Sequence, residues 1–133
     1  EIFANTPKTI LSISFVVQMY NIFDMIDALE YSYDLHKRYR NIGETIYHIV
    51  GQSWLQPAML YEEDYNYVID SLYDYMLKRP DNPDTQLLLN ILENNPLVPD
   101  PNHRKRFAKY TNMQDKLRGT SLVDINPRFE KYL

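Results

Sequence analysis

The stretch ILSISFVVQMYNIFDMIDAL, residues 10–29, is the most apolar run in the chain, and its reading decides the fold. Phe15, Met19, Ile22, Ile26, Leu29 and Tyr33 follow one another at alternating spacings of four and three. That spacing predicts one continuous helical seam, in a helix from about Pro7 toward Arg40. The first half is apolar nearly all round and so belongs at the centre of a bundle, whereas Asp27, Glu30, Asp34, Lys37 and Arg38 make the second half polar on one side. About 30 residues is long for a globular helix, so a kink near 30–34 is expected. Gln18, Asn21, Asp24 and Asp27 interrupt the run. A membrane-spanning helix needs about 20 largely uncharged residues, so no membrane span is expected. A basic start and a small-residue cleavage site, the marks of a secretory leader, do not flank it.

Prolines organise the rest. Thr6-Pro7, Asn82-Pro83, Asp100-Pro101 and Asn126-Pro127 each place a capping side chain before a residue that lacks an N–H, the pattern of a helix start. Further helices are expected over about 44–55, 62–78, 83–94 and 101–118. Residues 44–55 turn Ile46, Ile49 and Val50 inward; residues 62–78 carry the stripe Tyr65, Val68, Ile69, Leu72 and Met76. Residues 83–94 contribute Leu87, Leu88, Ile91 and Leu92. With only three glycines, hairpin chemistry is scarce. The expected fold class is all-α: a single-domain antiparallel bundle of four or five helices over 1–133, with a long N-terminal core helix and a C-terminal arm.

Composition is that of an ordinary globular chain, 44% hydrophobic and 24% charged over 133 residues, long enough to bury about two-thirds of its unfolded surface. The absence of cysteine excludes disulfides, thiolate metal sites and a cysteine nucleophile, and leans toward a reducing, cytoplasmic location. A first residue of Glu1 rather than Met reads as a processed form or a piece of something longer.

Charge is unevenly divided. Residues 1–99 hold 6 basic and 14 acidic side chains, net −8, whereas residues 100–133 hold 8 basic and 4 acidic, net +4. On a helix over 101–118, Phe107, Tyr110, Gln114 and Leu117 would dock inward with Met113 beside them. Lys105, Lys109 and Lys116 would cluster on the opposite side, flanked by Arg104 and Arg118. This surface reads as a solvated helix face, as a contact for an acidic partner or second copy, or as a phosphate grip on nucleic acid. The acidic overall charge and the lack of a recognition motif weigh against the last.

Catalytic constellations are thin. The chain has no Gly-rich phosphate loop, no Glu-x-x-His pair, and only His36, His48 and His103. Glu44 and His48 would share a helical face near Trp54, which reads as a half-buried histidine rather than a metal ligand. The pairs Glu30/Asp34 and Asp70/Asp74 read as solvated like-charge neighbours. No catalytic residue, metal, cofactor or small-molecule substrate is inferred.

Tyrosine is the compositional oddity, with twelve in the chain. In YEEDYNYVIDSLYDY, residues 61–75, Tyr67 and Tyr75 are expected to point away from the apolar stripe and Tyr73 to sit at its edge. With Asp70 and Asp74 they form a tyrosine and acid surface suited to a protein partner. Phe129 and Tyr132, in the apolar arm over 119–133, either fold back or bury in a neighbouring subunit. The expected function is a non-enzymatic protein interaction module, an adaptor, assembly factor or inhibitor of viral type. A nucleic-acid-associated accessory protein is the alternative.

Overall fold

The computed structural model describes residues 8–133. Among them run β1 (Leu11–Val17), α1 (Met25–Arg38), β2 (Ile42–Ile49), α2 (Glu62–Lys78), α3 (Asp84–Glu93), α4 (Pro101–Arg118) and α5 (Leu122–Ile125). Single 3-10 segments lie at Ile22–Asp24, Ser53–Leu55, Pro57–Met59 and Pro127–Tyr132. The described chain is mostly helical, but β1 and β2 pair as a two-stranded parallel sheet. That sheet overturns the all-α bundle and its long N-terminal helix. The Thr6-Pro7 helix start lies outside the described residues.

The strand arises from the stretch read as a helix. Leu11, Ile13, Phe15 and Val17 alternate with Ser12, Ser14 and Val16, and burial alternates in step. Phe15 belongs to this period of two and not to the helical seam. The polar residues that interrupt the apolar run make the corner between strand and helix. Asn21 Nδ2 donates to Val16 O at 2.8 Å, and its Oδ1 accepts from Gln18 N at 3.0 Å. Only after that corner does α1 begin, burying Met25, Leu29 and Ser32.

The helix expected over 44–55 is likewise corrected, because Thr45, Tyr47 and Ile49 turn inward while Glu44, Ile46 and His48 face out. Val16 pairs with His48 and Val17 with Ile49, and the rings of Phe15 and Tyr47 stack at 5.4 Å. Parallel strands need a crossover, and α1 supplies it.

Val17, Met19, Ile22, Leu29, Leu72, Leu88, Leu89, Leu92 and Phe107 are among the side chains sealed in one core. Against expectation, α3 buries Leu89 and leaves Leu87 exposed. A polar knot lies inside this core. Ser32 Oγ on α1 donates to Asp84 Oδ2 on α3 at 3.1 Å and lies 2.8 Å from Thr45 Oγ1 on β2, so Thr45 is the donor of that bond. Tyr47 donates to the same Asp84 oxygen at 3.2 Å. Burial, and then the negative charge of Asp84, push the Tyr47 hydroxyl far above the ordinary tyrosine range, so it stays a donor. Asn82, one of the expected caps, accepts from Asp84 N at 3.1 Å and donates to the Tyr75 hydroxyl at 3.1 Å.

Outside the core, α1 is tied to the end of α2 by a two-pronged bridge. Arg79 Nε and Nη2 donate to Glu30 Oε1 and Oε2 at 2.9 and 3.0 Å. The Arg79 bond, and then the Tyr75 hydroxyl, hold the Glu30 carboxyl below its ordinary range. A depressed carboxyl contributes stability above its unfolded pKa and loses it as pH falls through the folded value. Both partners are more than one-third exposed, so solvent screens the pair. Glu30→Gln should lower the unfolding free energy by about 0.5 kcal/mol at neutral pH. Urea denaturation across a pH series should show that difference closing in acid.

Candidate functional site

The C-terminal arm folds back on its own chain. Its anchor is Asp64 in the first turn of α2, a carboxylate only 1% exposed. Tyr132 donates to Asp64 Oδ2 at 2.6 Å and accepts from Tyr61 N at 2.9 Å. Burial, followed by the Asp64 bond, pushes the Tyr132 hydroxyl well above the ordinary tyrosine range and keeps it protonated. Lys131 Nζ reaches Asp64 Oδ2 at 2.8 Å, and Arg128 Nη1 reaches Oδ1 at 3.4 Å. Phe129 packs edge-on against Phe23 at 5.1 Å. Phe129 and Tyr132, expected as interface residues, are therefore internal. A buried carboxylate inside the run Glu62-Glu63-Asp64 carries no mark in the sequence that separates it from its exposed neighbours.

On α2 the expected surface is only partly present. Tyr67, Asp70, Tyr73 and Asp74 are exposed, and Leu77, not singled out from the sequence, is 81% exposed beside them. Tyr75 is buried, because seven residues after Val68 it returns to the same side of the helix. Tyr67 carries the Arg128 guanidinium 3.5 Å from its ring centroid, and the Tyr73 hydroxyl donates to Glu93 Oε1 at 2.7 Å. Both tyrosines are thus braced in place, with their outer edges in solvent.

On α4 the ends follow the sequence. Asp100 Oδ1 accepts from Asn102 N at 2.8 Å, and Gly119 takes the left-handed conformation at φ 65° that closes the helix. The inward side is narrower than expected, however. Phe107 and Thr111 are buried, with the Thr111 hydroxyl 2.8 Å from Tyr20 OH, while Leu117 is 74% and Met113 49% exposed.

The basic residues of α4 divide in two. Arg104 is turned inward, donating to the carbonyls of Met59 and Leu60 at 3.1 and 3.3 Å with its plane 3.8 Å from the Tyr61 ring centroid. Lys105, Lys109 and Lys116 are exposed and make no ion pair or hydrogen bond among the described residues. The single acid of α4, Asp115, is occupied by Thr120 Oγ1 and Leu122 N, each at 3.0 Å. Arg106 joins the lysines, lying over Trp54 at 5.4 Å. Arg118 instead borders a cavity of about 450 Å³ with Tyr20, Gln114 and Leu122.

No catalytic grouping assembles around Glu44, His48 and Trp54. Glu44 and His48 lie on the outer side of β2, so His48 is exposed rather than half-buried, and Trp54 turns to the Tyr110 ring at 4.9 Å. Among the described residues no group of three or more His, Asp or Glu is placed to hold a metal ion, and no helix is long and apolar enough to cross a membrane. No protein-family model, curated protein or solved structure matches the chain.

The Asp64 clamp makes a direct prediction. Tyr132→Phe removes one hydroxyl that satisfies both a buried carboxylate and the Tyr61 N–H. It should cost about 2 kcal/mol in chemical denaturation. Phe129 and its ring partners should still pack, leaving the circular dichroism of the folded state unchanged.

Proposed function

We propose that the chain is a non-enzymatic interaction module whose outer α4 side receives an acidic, partly apolar surface of another protein or of a second copy. One observation carries this reading. Lys105, Lys109 and Lys116 stand unpaired beside the exposed side chains of Met113 and Leu117. Cations alone suffice for a phosphate backbone, whereas two large apolar groups at the edge of the cationic strip add area that a protein partner can bury. The α2 surface offers complementary chemistry, with Asp70 and Asp74 beside Leu77 and Tyr73. A second copy therefore suits the requirement, since opposite charge steers association and the apolar groups hold it.

The second reading is nucleic-acid binding through Lys105, Lys109, Lys116 and Arg106. It is favoured by the lack of any carboxylate on the outer side of α4. Arg104 drops out of that surface because its guanidinium is used internally.

Sedimentation velocity at low salt over a concentration series separates the two. Under the protein reading, association weakens in Leu117→Asp and in the triple change of Lys105, Lys109 and Lys116 to Glu. The triple variant should recover association when mixed with Asp70→Lys/Asp74→Lys. Under the nucleic-acid reading, affinity for mixed-sequence RNA or DNA falls by orders of magnitude with the lysine change, depends steeply on salt, and is indifferent to Leu117→Asp. A chain that stays monomeric at every concentration would exclude the second copy as the partner.

A further inference from the structure

One oxygen of the buried Asp84 carboxylate accepts no hydrogen bond among the described residues. The residue is only 9% exposed, yet no cation among the described residues pairs with it. Oδ2 is occupied by the Ser32 and Tyr47 hydroxyls at 3.1 and 3.2 Å. Oδ1 has no donor among the described residues. Nor is it sealed in the interior, where Thr85 Oγ1 is the one side-chain polar atom found without a partner among those residues. Asp84 borders two adjoining clefts of about 580 and 250 Å³, and Oδ1 is the oxygen left to them. A carboxylate held this far from water is costly unless something positive or donating meets it.

The basic side chains nearby are already engaged. His36 sits in both clefts, but its Nδ1 lies 2.7 Å from Ser32 O and its Nε2 2.8 Å from Gly43 O. Lys37 places its ammonium 4.5 Å from the centroid of the Tyr33 ring. The Tyr33 hydroxyl in turn donates to Asp81. Glu44, at the mouth of the larger cleft, makes no hydrogen bond or ion pair among the described residues. Its apolar wall is Ile42, Pro83 and the half-exposed Leu87. The cleft thus combines an inner carboxylate oxygen, a second carboxylate at the rim and an aliphatic wall between them.

We propose that this cleft, between the end of α1, the start of β2 and the turn into α3, binds an alkyl chain ending in a guanidinium or ammonium group that pairs with Asp84 Oδ1. The aliphatic stem would lie on Leu87 and Pro83, as such stems do on apolar surface, and Glu44 would draw the charge inward. A planar guanidinium fits best, because it can donate to Oδ1 and still turn a second N–H toward Glu44 or a carbonyl. The same chemistry is presented by an arginine side chain in a peptide and by a free alkylguanidine. The site shares no residue with the outer side of α4 and stands apart from the function proposed above.

The test is a titration of the full chain, followed by amide chemical shifts and calorimetry, with two probes: free agmatine, and an acetylated and amidated Gly-Arg-Gly peptide. Shifts centred on Thr45, Asp84 and Leu87 are expected, and the tighter probe identifies the source as small molecule or peptide. The same peptide with citrulline in place of arginine should bind about tenfold more weakly, and so should Asp84→Asn with arginine. Equal binding of the citrulline peptide, or unchanged affinity in a folded Asp84→Asn variant, overturns the proposal. So does the absence of shifts with either probe at millimolar concentration. Should Asp84→Asn not fold, the exposed rim variant Glu44→Gln decides: weaker arginine binding supports the site, and unchanged binding removes it. Neither result depends on α4, since its triple lysine variant should bind both probes as the parent does.

Discussion

Asp84 is where three elements are joined. One of its oxygens holds the Ser32 hydroxyl of α1 and the Tyr47 hydroxyl of β2, while Asp84 itself opens α3. Two parallel strands make a small sheet, and a sheet of this size does not stand alone in water. It persists here because α1 crosses over it and because Ser32, Thr45 and Asp84 fix the crossover to a second helix. Removing one hydroxyl from that knot would leave a buried charge short of donors, which costs more than the bond contributes. The N-terminal half is not a bundle, because it holds a strand pair that buries one face and exposes the other, with Phe15 stacked on Tyr47.

The helical half of the molecule was largely legible from residue order. Asp100-Pro101 opens α4, and Gly119 closes it. Val68 and Leu72 fall on the buried side of α2, as a period of 3.6 requires. Where a capping residue and a proline coincide, a local signal is strong because it answers a local need, an N–H without a partner. Asn82-Pro83 and Asn126-Pro127 obey the same logic in altered form. Asn82 caps from one residue further out, and Asn126 starts a 3-10 segment by accepting from Arg128 N.

The strands were illegible for a different reason. Phe15 and Met19 are four apart and continue through the 3-10 turn at Ile22 into α1 at Ile26, so a helical count runs unbroken through a boundary. The contrary evidence was the alternation of Ser12 and Ser14 with Leu11, Ile13 and Phe15, and a pair of polar residues, Gln18 and Asn21, at the turn. In IGETIYHI the inward residues are Thr45, Tyr47 and Ile49, a set that reads as strand only once its partner is known. Parallel pairing is a long-range event, and no residue near either strand announces it. The candidate surfaces suffered from the same blindness. Tyr132, Phe129 and Tyr75 look like interface residues by type, yet Tyr132 and Phe129 are spent on Asp64 and Phe23, far away in the chain, and Tyr75 on Asn82, seven residues further along.

The division of the basic residues follows from the chemistry of their heads. Arg104 and Arg128 lie over Tyr61 and Tyr67 at 3.8 and 3.5 Å, because a planar, weakly hydrated guanidinium stacks on a ring and still donates sideways. Lysine is a compact, strongly hydrated charge, and Lys105, Lys109 and Lys116 remain in water. The net +4 of residues 100–133 therefore overstates the field available to a partner, since Arg104, Arg128 and Lys131 already serve carbonyls, rings or Asp64. What remains is concentrated on one helix about 27 Å long, whose only acid is turned away. Opposite it in character, Asp70 and Asp74 on α2 repel each other at one turn's distance, and neither is relieved by a cation among the described residues. The fold neutralises its charges around Asp64 and between Glu30 and Arg79, yet leaves these two sets of opposite charge on separate helices, without partners among the described residues.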